Sequence, residues 1–345
     1  MYTLGIDIHK KYSQVAVLDS QGKFQMDIKL SNTRENFSRL LNDLDEPCEA
    51  VIEAGYTWGV MYDLLSEIGI DVSVAHALKV KAIASAKIKT DKIDARILAQ
   101  LLRANLIPEI YVPATDVRRQ RNILRQRSWL VRLKTMVKNK IHSILSRNHI
   151  QTPDITDIFG KCGMKFLHLL TLPDPDQTIL AQDLELLGFV NEQIKSYEKL
   201  IKNMAVNNNY IKIILSAPGF GDNLSALVAL EIVDINRFPT AAKLSSYSGL
   251  VPTTYSSGGK TSHGNLIPTC NHWLRYAFIE ASWVAIVHDP YFRALYSRLK
   301  KIKGPQAAIA AVARRLSEVI FNCLRQNRFY EQRIYKYKNN YSNAA

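Results

Sequence analysis

The order of apolar and amphipathic segments in the first 103 residues constrains the fold of this chain more than any other feature. Three strand-like segments come first, and strands then alternate with helices. The predicted strands span residues 2–7, 13–18, 22–30, 49–53 and 70–75, and the predicted helices span 34–44, 58–68 and 92–103. This order predicts an α/β domain whose sheet begins antiparallel and continues parallel.

Four acidic residues occupy special positions in this pattern. Asp7 lies between apolar residues of the first strand, where a carboxylate is costly to bury without a partner. Glu53 ends the fourth strand, so it is expected at the carboxyl edge of the sheet. Asp91 and Asp94 are three residues apart at the start of a helix, which places both on one helical face.

Clustered carboxylates need cations, and their oxygen atoms select Mg²⁺ or Mn²⁺. Two such ions about 3.5–4 Å apart can hold both the attacking and the leaving oxygen of a phosphoryl transfer. Each acid also has a structural interpretation. Asp91 and Asp94 would complement the helix dipole, and Asp7 would pair with Lys10 or Lys87.

One segment supplies most of the formal net charge of +14. Residues 117–150 contain ten Lys or Arg and no Asp or Glu, and their apolar residues recur at helical spacing. A solvated helix face is the alternative interpretation, but such a face gains from interspersed acids. We therefore expect contacts with a nucleic-acid backbone. The expected contact residues are Arg118, Arg119, Arg121, Arg125, Arg127, Arg132, Lys134, Lys138 and Lys140.

Helical patterns dominate the chain after residue 113. A break near Pro153, a helix over 182–204 and a polar boundary at 207–209 follow the basic segment. The sequence Pro218-Gly219-Phe220-Gly221 between two helices resembles a helix-hairpin-helix turn, whose backbone amides suit a phosphate. A tight turn that needs glycine explains it equally well.

The last part of the pattern is predicted from the same signals. The predicted helices span residues 241–247, 270–287 and 305–326, and the predicted loop spans 249–265. No further strand is expected after residue 113.

Motifs from both ends of the chain resemble one family. The motifs are Gly5-Ile6-Asp7, Ile52-Glu53-Ala54-Gly55, Thr90-Asp91-Lys92-Ile93-Asp94-Ala95, Tyr247-Ser248-Gly249-Leu250-Val251-Pro252, Tyr255-Ser256-Ser257-Gly258-Gly259-Lys260 and Trp273-Leu274-Arg275. Together they closely resemble the DEDD transposases of bacterial insertion sequences, over about residues 3–327.

The resemblance implies that Asp7, Glu53, Asp91 and Asp94 form a metal-binding catalytic tetrad. It also implies that Ser257 is the nucleophile that attacks a DNA phosphate and forms a covalent phosphoserine.

Other residues of the serine motif are less sharply assigned. Ser256 is the alternative nucleophile if the register shifts by one residue. Lys260 and Arg275 would bind phosphate, with a solvated loop face as the equal alternative. Family members carry a basic residue and a glycine shortly before Asn271, and residues 267–270 here contain neither.

The family fold implies a division of the chain. Residues 1–112 would form a RuvC-like domain of the ribonuclease H-like fold, and 113–207 a basic helical, coiled-coil region. Residues 208–330 would form a mainly helical, serine-bearing domain, and 331–345 a tail.

The family also implies partners. They are donor and target DNA, a noncoding bridge RNA that pairs with both, and further copies of the chain in dimers and tetramers. In these assemblies the serine domain of one subunit completes the RuvC-like site of another.

Other functions and the location of the protein follow from weaker signals. The alternative functions are a RuvC-like metal-dependent junction nuclease and a non-catalytic nucleic-acid-binding protein. A serine hydrolase is disfavoured, because Ser257 lacks the G-x-S-x-G context of such enzymes. The chain has no apolar run near 18 residues, no signal-peptide pattern at its start and four dispersed cysteines. We expect a cytoplasmic, nucleoid-associated protein without a membrane segment.

Overall fold

The chain divides into two compact units, Met1–Pro113 and Ala114–Ala345. The computed structural model describes residues 1–44, 46–84 and 90–331, so Lys87 and residues 332–345 of the predicted tail lie outside the described residues. No helix in these ranges is long and apolar enough to cross a membrane. The first unit is α/β and the second is mainly helical, as the sequence predicts.

The first unit is built on one five-stranded sheet. Its strands are β1 (Tyr2–Ile8), β2 (Tyr12–Leu18), β3 (Phe24–Ser31), β4 (Cys48–Glu53) and β5 (Asp71–Ala75), and its helices are α1 (Arg34–Leu44), α2 (Trp58–Glu67), α3 (Ala77–Ile83) and α4 (Asp91–Arg103). The strand order is β3-β2-β1-β4-β5. β1 pairs antiparallel with β2 and parallel with β4, which confirms the predicted change of direction.

The sequence pattern missed α3. This helix has seven residues and buries only Val80. A single buried side chain gives no apolar periodicity from which a helix could be predicted.

Gly5 lets α4 pack directly against β1. A Cβ atom at Gly5 would overlap the carbonyl oxygen of Ala95 and the amide nitrogen of Ala99. Arg96 of the same helix donates from Nε to both carboxylate oxygens of Asp27 on β3, at 3.0 and 2.9 Å. The hydrogen bond from Arg96 lowers the pKa of Asp27. These contacts fix the start of α4 beside the central strand.

Replacing Gly5 by alanine should lower the free energy of unfolding by about 1–3 kcal/mol, because the added methyl group overpacks the contact with α4. Urea unfolding followed by circular dichroism measures the loss. Gly188 is helical and has no atom within 4 Å of an added Cβ, so Gly188→Ala should instead stabilise by about 0.5–1 kcal/mol. Equal effects of the two substitutions would contradict the packing argument.

The second unit, as far as residue 331, consists of helices and one hairpin. The helices are α5 (Thr115–Arg147), α6 (Lys161–Leu169), α7 (Asp176–Val206), α8 (Asn209–Leu215), α9 (Asp222–Ile232), α10 (Ala241–Tyr247), α11 (His272–His288) and α12 (Pro290–Arg325), and the strands are β6 (Pro252–Ser257) and β7 (Lys260–Leu266). α12 is broken at Gly304, where φ is 77°.

Two large hydrophobic cores and one small cluster between α5 and α7 support the described part of this unit. One is formed mainly by α8 to α12 and includes Leu124 of α5. The other joins the second half of α5 to α6 and α7. α5 therefore contributes to both cores, and the separate coiled-coil domain at 113–207 stays a prediction.

The segment that contains Ser257 is a β-hairpin, so the prediction of a loop over 249–265 is wrong. Ser257 pairs with Lys260 across the antiparallel strands. Gly258 and Gly259 between them have φ values of 56° and 76°, which a two-residue turn of this kind requires and which glycine adopts without strain. From residue 254 to residue 260 the hairpin is exposed, so no buried face produced the alternating pattern that predicts strands.

The turn between α8 and α9 needs glycine for packing. Gly219 has φ 89°, and a Cβ atom there would overlap the carbonyl oxygen of Ala281 in α11. The tight-turn interpretation accounts for this residue. A phosphate contact at the turn stays a prediction.

Candidate active site

Asp7 and Asp91 lie together in the first unit, with His9 between them. His9 Nε2 is 3.3 Å from Asp7 Oδ2 and 2.9 Å from Asp91 Oδ2. One potential ligand atom from each of the three side chains lies within 4.8 Å of the others. All three residues are partly exposed, so a cation in solvent can reach them.

Glu53 and Asp94 occupy the positions next to this group. Ile6 of β1 pairs with Ile52 of β4, so Asp7 and Glu53 are the following residues of two parallel strands. Asp94 lies in the first turn of α4, three residues after Asp91. Among the described residues neither side chain joins a group as close as that of Asp7, His9 and Asp91.

The start of α4 leaves the Asp91 carboxylate available for other contacts. Thr90 is the N-cap residue, and its Oγ1 accepts a hydrogen bond from Ile93 N at 3.3 Å. Asp91 Oδ2 accepts from the Tyr12 hydroxyl at 3.4 Å. Lys29 Nζ lies 3.6 Å from the centre of the Tyr12 ring. Thr90 already caps α4, so helix capping does not explain why the Asp91 carboxylate contacts Tyr12 and His9.

The donor set of the group fits a divalent cation. Asp7 and Asp91 supply carboxylate oxygens, the preferred ligands of Mg²⁺ and Mn²⁺. His9 Nε2 is buried and forms no hydrogen bond within the described part of the chain, despite the two nearby carboxylates. A cation would satisfy this nitrogen and reduce the repulsion between the two acids.

Sequence reasoning missed His9 and Tyr12. His9 follows Asp7 by two residues, the spacing that places side chains on one face of a strand. That spacing was the signal in the sequence that could have pointed to His9 as a neighbour of Asp7. The contact of Tyr12 with Asp91 joins residues 79 positions apart and gives no local pattern.

Ser257 is presented near the tip of the hairpin in the second unit. It is the last residue of β6 and is exposed, as is its cross-strand partner Lys260. Successive residues of a strand point to opposite faces, whereas paired residues share a face. Ser257 and Lys260 are therefore on one face of the hairpin, and Ser256 is on the other.

Arg275 supports the base of this hairpin. Its Nη2 donates to the carbonyl oxygen of Ile267, directly after β7. Ile267 N in turn donates to the carbonyl oxygen of Val251, directly before β6, at 3.1 Å. A Cβ atom at Gly249 would overlap Arg275 Nη2, which explains the glycine there. The half-buried guanidinium is thus used inside the unit, and its predicted phosphate contact stays a prediction.

Several positive charges of α5 are paired within the second unit. Arg121 Nε donates to Leu230 O at 2.9 Å, and its guanidinium is 3.4 Å from the Glu231 carboxylate, which is 2% exposed. Burial lowers the pKa of Arg121, and Glu231 opposes that shift. Arg125 lies 3.2 Å from the same carboxylate. Glu231 also accepts from Asn271 Nδ2 at 2.8 Å, which ties α5 to the N-cap of α11.

Two further charges of α5 pair with α7. Arg127 is 2.7 Å from Glu198 and Lys140 is 2.9 Å from Asp183. Their acidic partners are 71 and 43 residues away in the sequence. The lack of acids within residues 117–150 therefore gave no information about these ion pairs.

The remaining predicted contact residues of α5 make weaker or partial contacts. Arg118 donates to Thr115 Oγ1 at 2.9 Å, and exposed Arg119 lies 3.4 Å from exposed Asp116. Burial lowers the pKa of Lys134, and the positive charge of Lys138 acts in the same direction.

Two of these residues lie over aromatic rings. The guanidinium of Arg132 is 5.8 Å from the centre of the Trp273 ring, and Lys138 Nζ is 4.4 Å from that of Phe159. Arg119 and Arg132 are exposed, and their contact with a phosphate backbone stays a prediction.

Two family models match the chain. The first, for DEDD transposases of the IS110 type, is described as a transposase and matches residues 4–150. The second is described as a transposase of the IS116/IS110/IS902 family and matches residues 211–297. The chain belongs to the IS110 family of DEDD transposases. The first model covers all four acids of this transposase, and the second covers its serine hairpin.

Individual relatives agree with this assignment. The transposase of insertion element IS1111A from Coxiella burnetii is 24% identical over 95% of this chain and 90% of its own length. An uncharacterized protein of insertion element IS110 from Streptomyces coelicolor is 34% identical over 43% of this chain, and the match spans only 37% of that protein. The pilin gene-inverting protein of Moraxella bovis is 29% identical over 37% of this chain and 41% of its own length. The mixed sheet and the helical region that follows are consistent with a ribonuclease H-like DEDD transposase.

Proposed function

We propose that this transposase cuts and rejoins DNA through Ser257, assisted by divalent cations that Asp7, Glu53, Asp91 and Asp94 hold. The observation that supports the proposal most strongly is the meeting of Asp7 and Asp91 at the His9 imidazole, whose Nε2 lies within 3.3 Å of both carboxylates. Glu53 lies on β4, at the strand position beside Asp7 of β1. Asp94 lies in the first turn of α4, as does Asp91. Mg²⁺ or Mn²⁺ in this site would neutralise charge on the reacting phosphate.

Ser257 supplies the nucleophile in this mechanism. Its Oγ forms a bond to phosphorus while the bond from phosphorus to a deoxyribose oxygen breaks. The serine loses its proton and the departing oxygen gains one. A phosphodiester to serine conserves the energy of the broken bond, so the reverse attack by a new DNA end rejoins the strand without a further energy source.

The hairpin suits a large substrate. Ser257 is exposed at a two-residue turn, where a DNA backbone can approach without displacing buried side chains. Lys260 shares its face of the hairpin and would contact a phosphate that Ser257 attacks. Asp7 and Asp91 belong to the first unit, and the family resemblance implies that another subunit supplies the serine.

We also propose that a bridge RNA guides the reaction, because base pairing supplies sequence specificity to proteins that bind mainly the backbone. Purification of the full chain from cells that carry its complete insertion element, followed by sequencing of bound RNA, tests this. We expect one noncoding RNA from the element itself. A random sample of cellular RNA would contradict the proposal.

A metal-dependent junction nuclease is the second candidate. The observation that favours it is that the acidic group is already assembled within the first unit, to which the serine does not belong. Water would then be the nucleophile, and the products would be free ends without a protein–DNA adduct.

The solvent-accessible charges of α5, exposed at Arg119 and Arg132 and half-buried at Lys138, should carry part of the salt dependence of DNA binding. Replacing Arg119, Arg132 and Lys138 by glutamine should weaken binding to all sequences and reduce the slope of log K against log salt by about 0.9 for each lost phosphate contact. Titrations at several salt concentrations measure this slope. The matched control replaces three exposed lysines of the first unit, Lys23, Lys79 and Lys81, by glutamine. Equal slopes in both triple variants would contradict a special role for α5.

A further inference from the structure

We propose that His9 is a protein ligand of the cation that Asp7 and Asp91 hold, so that the site combines nitrogen with oxygen donors. This inference rests on the metal site of the proposed function. It adds a residue outside the four predicted acids, and it changes the expected metal preference.

Backbone hydrogen bonds fix His9 directly after β1. His9 N donates to Tyr12 O at 2.9 Å across the turn between β1 and β2. His9 O accepts from Asn32 Nδ2 at 2.8 Å. The imidazole also lies against the Tyr12 ring, with 4.8 Å between ring centres. Because both backbone groups are bonded and one side of the ring is supported, little freedom is lost when Nε2 binds a ligand.

The surroundings of Nε2 resemble those of a metal ligand. An imidazolium paired with these acids would direct an N–H bond at one carboxylate oxygen. Nε2 instead lies near one oxygen of each acid and forms no hydrogen bond within the described residues. A cation between the three atoms would accept the nitrogen lone pair and bind both oxygens.

The Tyr12 contact completes the arrangement. Its hydroxyl donates to Asp91 Oδ2, as outer hydrogen bonds to metal-binding carboxylates commonly do. The same tyrosine therefore contacts two proposed ligands, His9 through its ring and Asp91 through its hydroxyl.

A nitrogen donor predicts a preference among divalent ions. Imidazole suits transition metals, whereas Mg²⁺ favours oxygen donors and keeps its water ligands. The full chain should therefore bind Mn²⁺ more tightly than Mg²⁺. Removing the imidazole should reduce this preference, because the carboxylates that remain serve both ions.

Pulsed electron paramagnetic resonance of the Mn²⁺-loaded full chain tests the ligand directly. We expect nitrogen coupling of an imidazole, which changes to the ¹⁵N pattern when histidine is ¹⁵N-labelled. The coupling should disappear in His9→Ala and persist in His168→Ala, a control at an exposed histidine in α6. The labelled wild-type protein gives an answer even if His9→Ala fails to fold.

Calorimetric titration supplies the second readout. His9→Asn should lower Mn²⁺ affinity by about tenfold or more, and Mg²⁺ affinity by less. Mn²⁺ binding that depends on Asp7 but shows no histidine coupling would overturn the role of His9 alone. Mn²⁺ binding unaffected by Asp7→Asn would overturn both this inference and the metal site of the proposed function.

Discussion

Asp7→Asn is expected to lower the rate of DNA strand cleavage by about 1,000-fold or more. Loss of a metal-binding carboxylate removes several kcal/mol of transition-state stabilisation, and each 1.4 kcal/mol or so is a factor of ten. The asparagine keeps the size of the side chain but lacks the charge that attracts the cation. Chelation of divalent metal should reduce wild-type cleavage to a similar level.

The effect of Asp7→Asn must be separated from an effect on folding. Asp7 and Asp91 are like charges in one group, so removing one charge should not unfold the first unit. Circular dichroism should show a native spectrum while cleavage of plasmids that carry the element's own ends is lost. Asp71→Asn is the control, since Asp71 is exposed at the start of β5 in the same sheet. Cleavage at the wild-type rate by Asp7→Asn would contradict the metal site.

Ser257→Ala is expected to abolish the covalent protein–DNA adduct and to lower strand exchange by ~10⁴-fold or more, as loss of a nucleophile does in other enzymes. The hydroxyl lies on the exposed hairpin, so stability should change by less than about 0.5 kcal/mol. Denaturing gels with end-labelled DNA detect the adduct.

Ser256→Ala is the matched control for this prediction. The two serines are adjacent in β6 and both are exposed, but they point to opposite faces. Only Ser257 shares a face with Lys260. Ser256→Ala should therefore retain the adduct, and an adduct lost only in Ser256→Ala would move the nucleophile to Ser256.

The sequence predicted the sheet of the first unit well because its signals are local. Strands β1, β2 and β4 are short apolar runs. Every helix of this unit except α3 has an amphipathic pattern or is followed closely by a glycine. The family resemblance implied a group of four acids; Asp7 and Asp91 lie in one group with His9, and the tetrad stays a prediction. Their positions follow from the order of the elements, which brings α4 onto β1 at Gly5.

The features that the sequence did not predict depend on tertiary contacts or on an exposed strand. Arg121 and Glu231 are 110 residues apart, so the basic segment looked uniformly available for nucleic acid. The hairpin of Ser257 buries no face and was predicted as a loop. His9 follows Asp7 by two residues, directly after β1, but a lone histidine there does not indicate a site until Asp91 is placed next to it.

Peptide mapping of the trapped adduct by mass spectrometry measures the nucleophile directly. Trypsin cuts after Lys243 and Lys260, so one peptide of residues 244–260 contains both Ser256 and Ser257. Fragmentation should place a nucleotide phosphate on Ser257 in the wild-type protein. A modified residue elsewhere, or free DNA ends with no modified peptide under conditions of active cleavage, would contradict the serine mechanism.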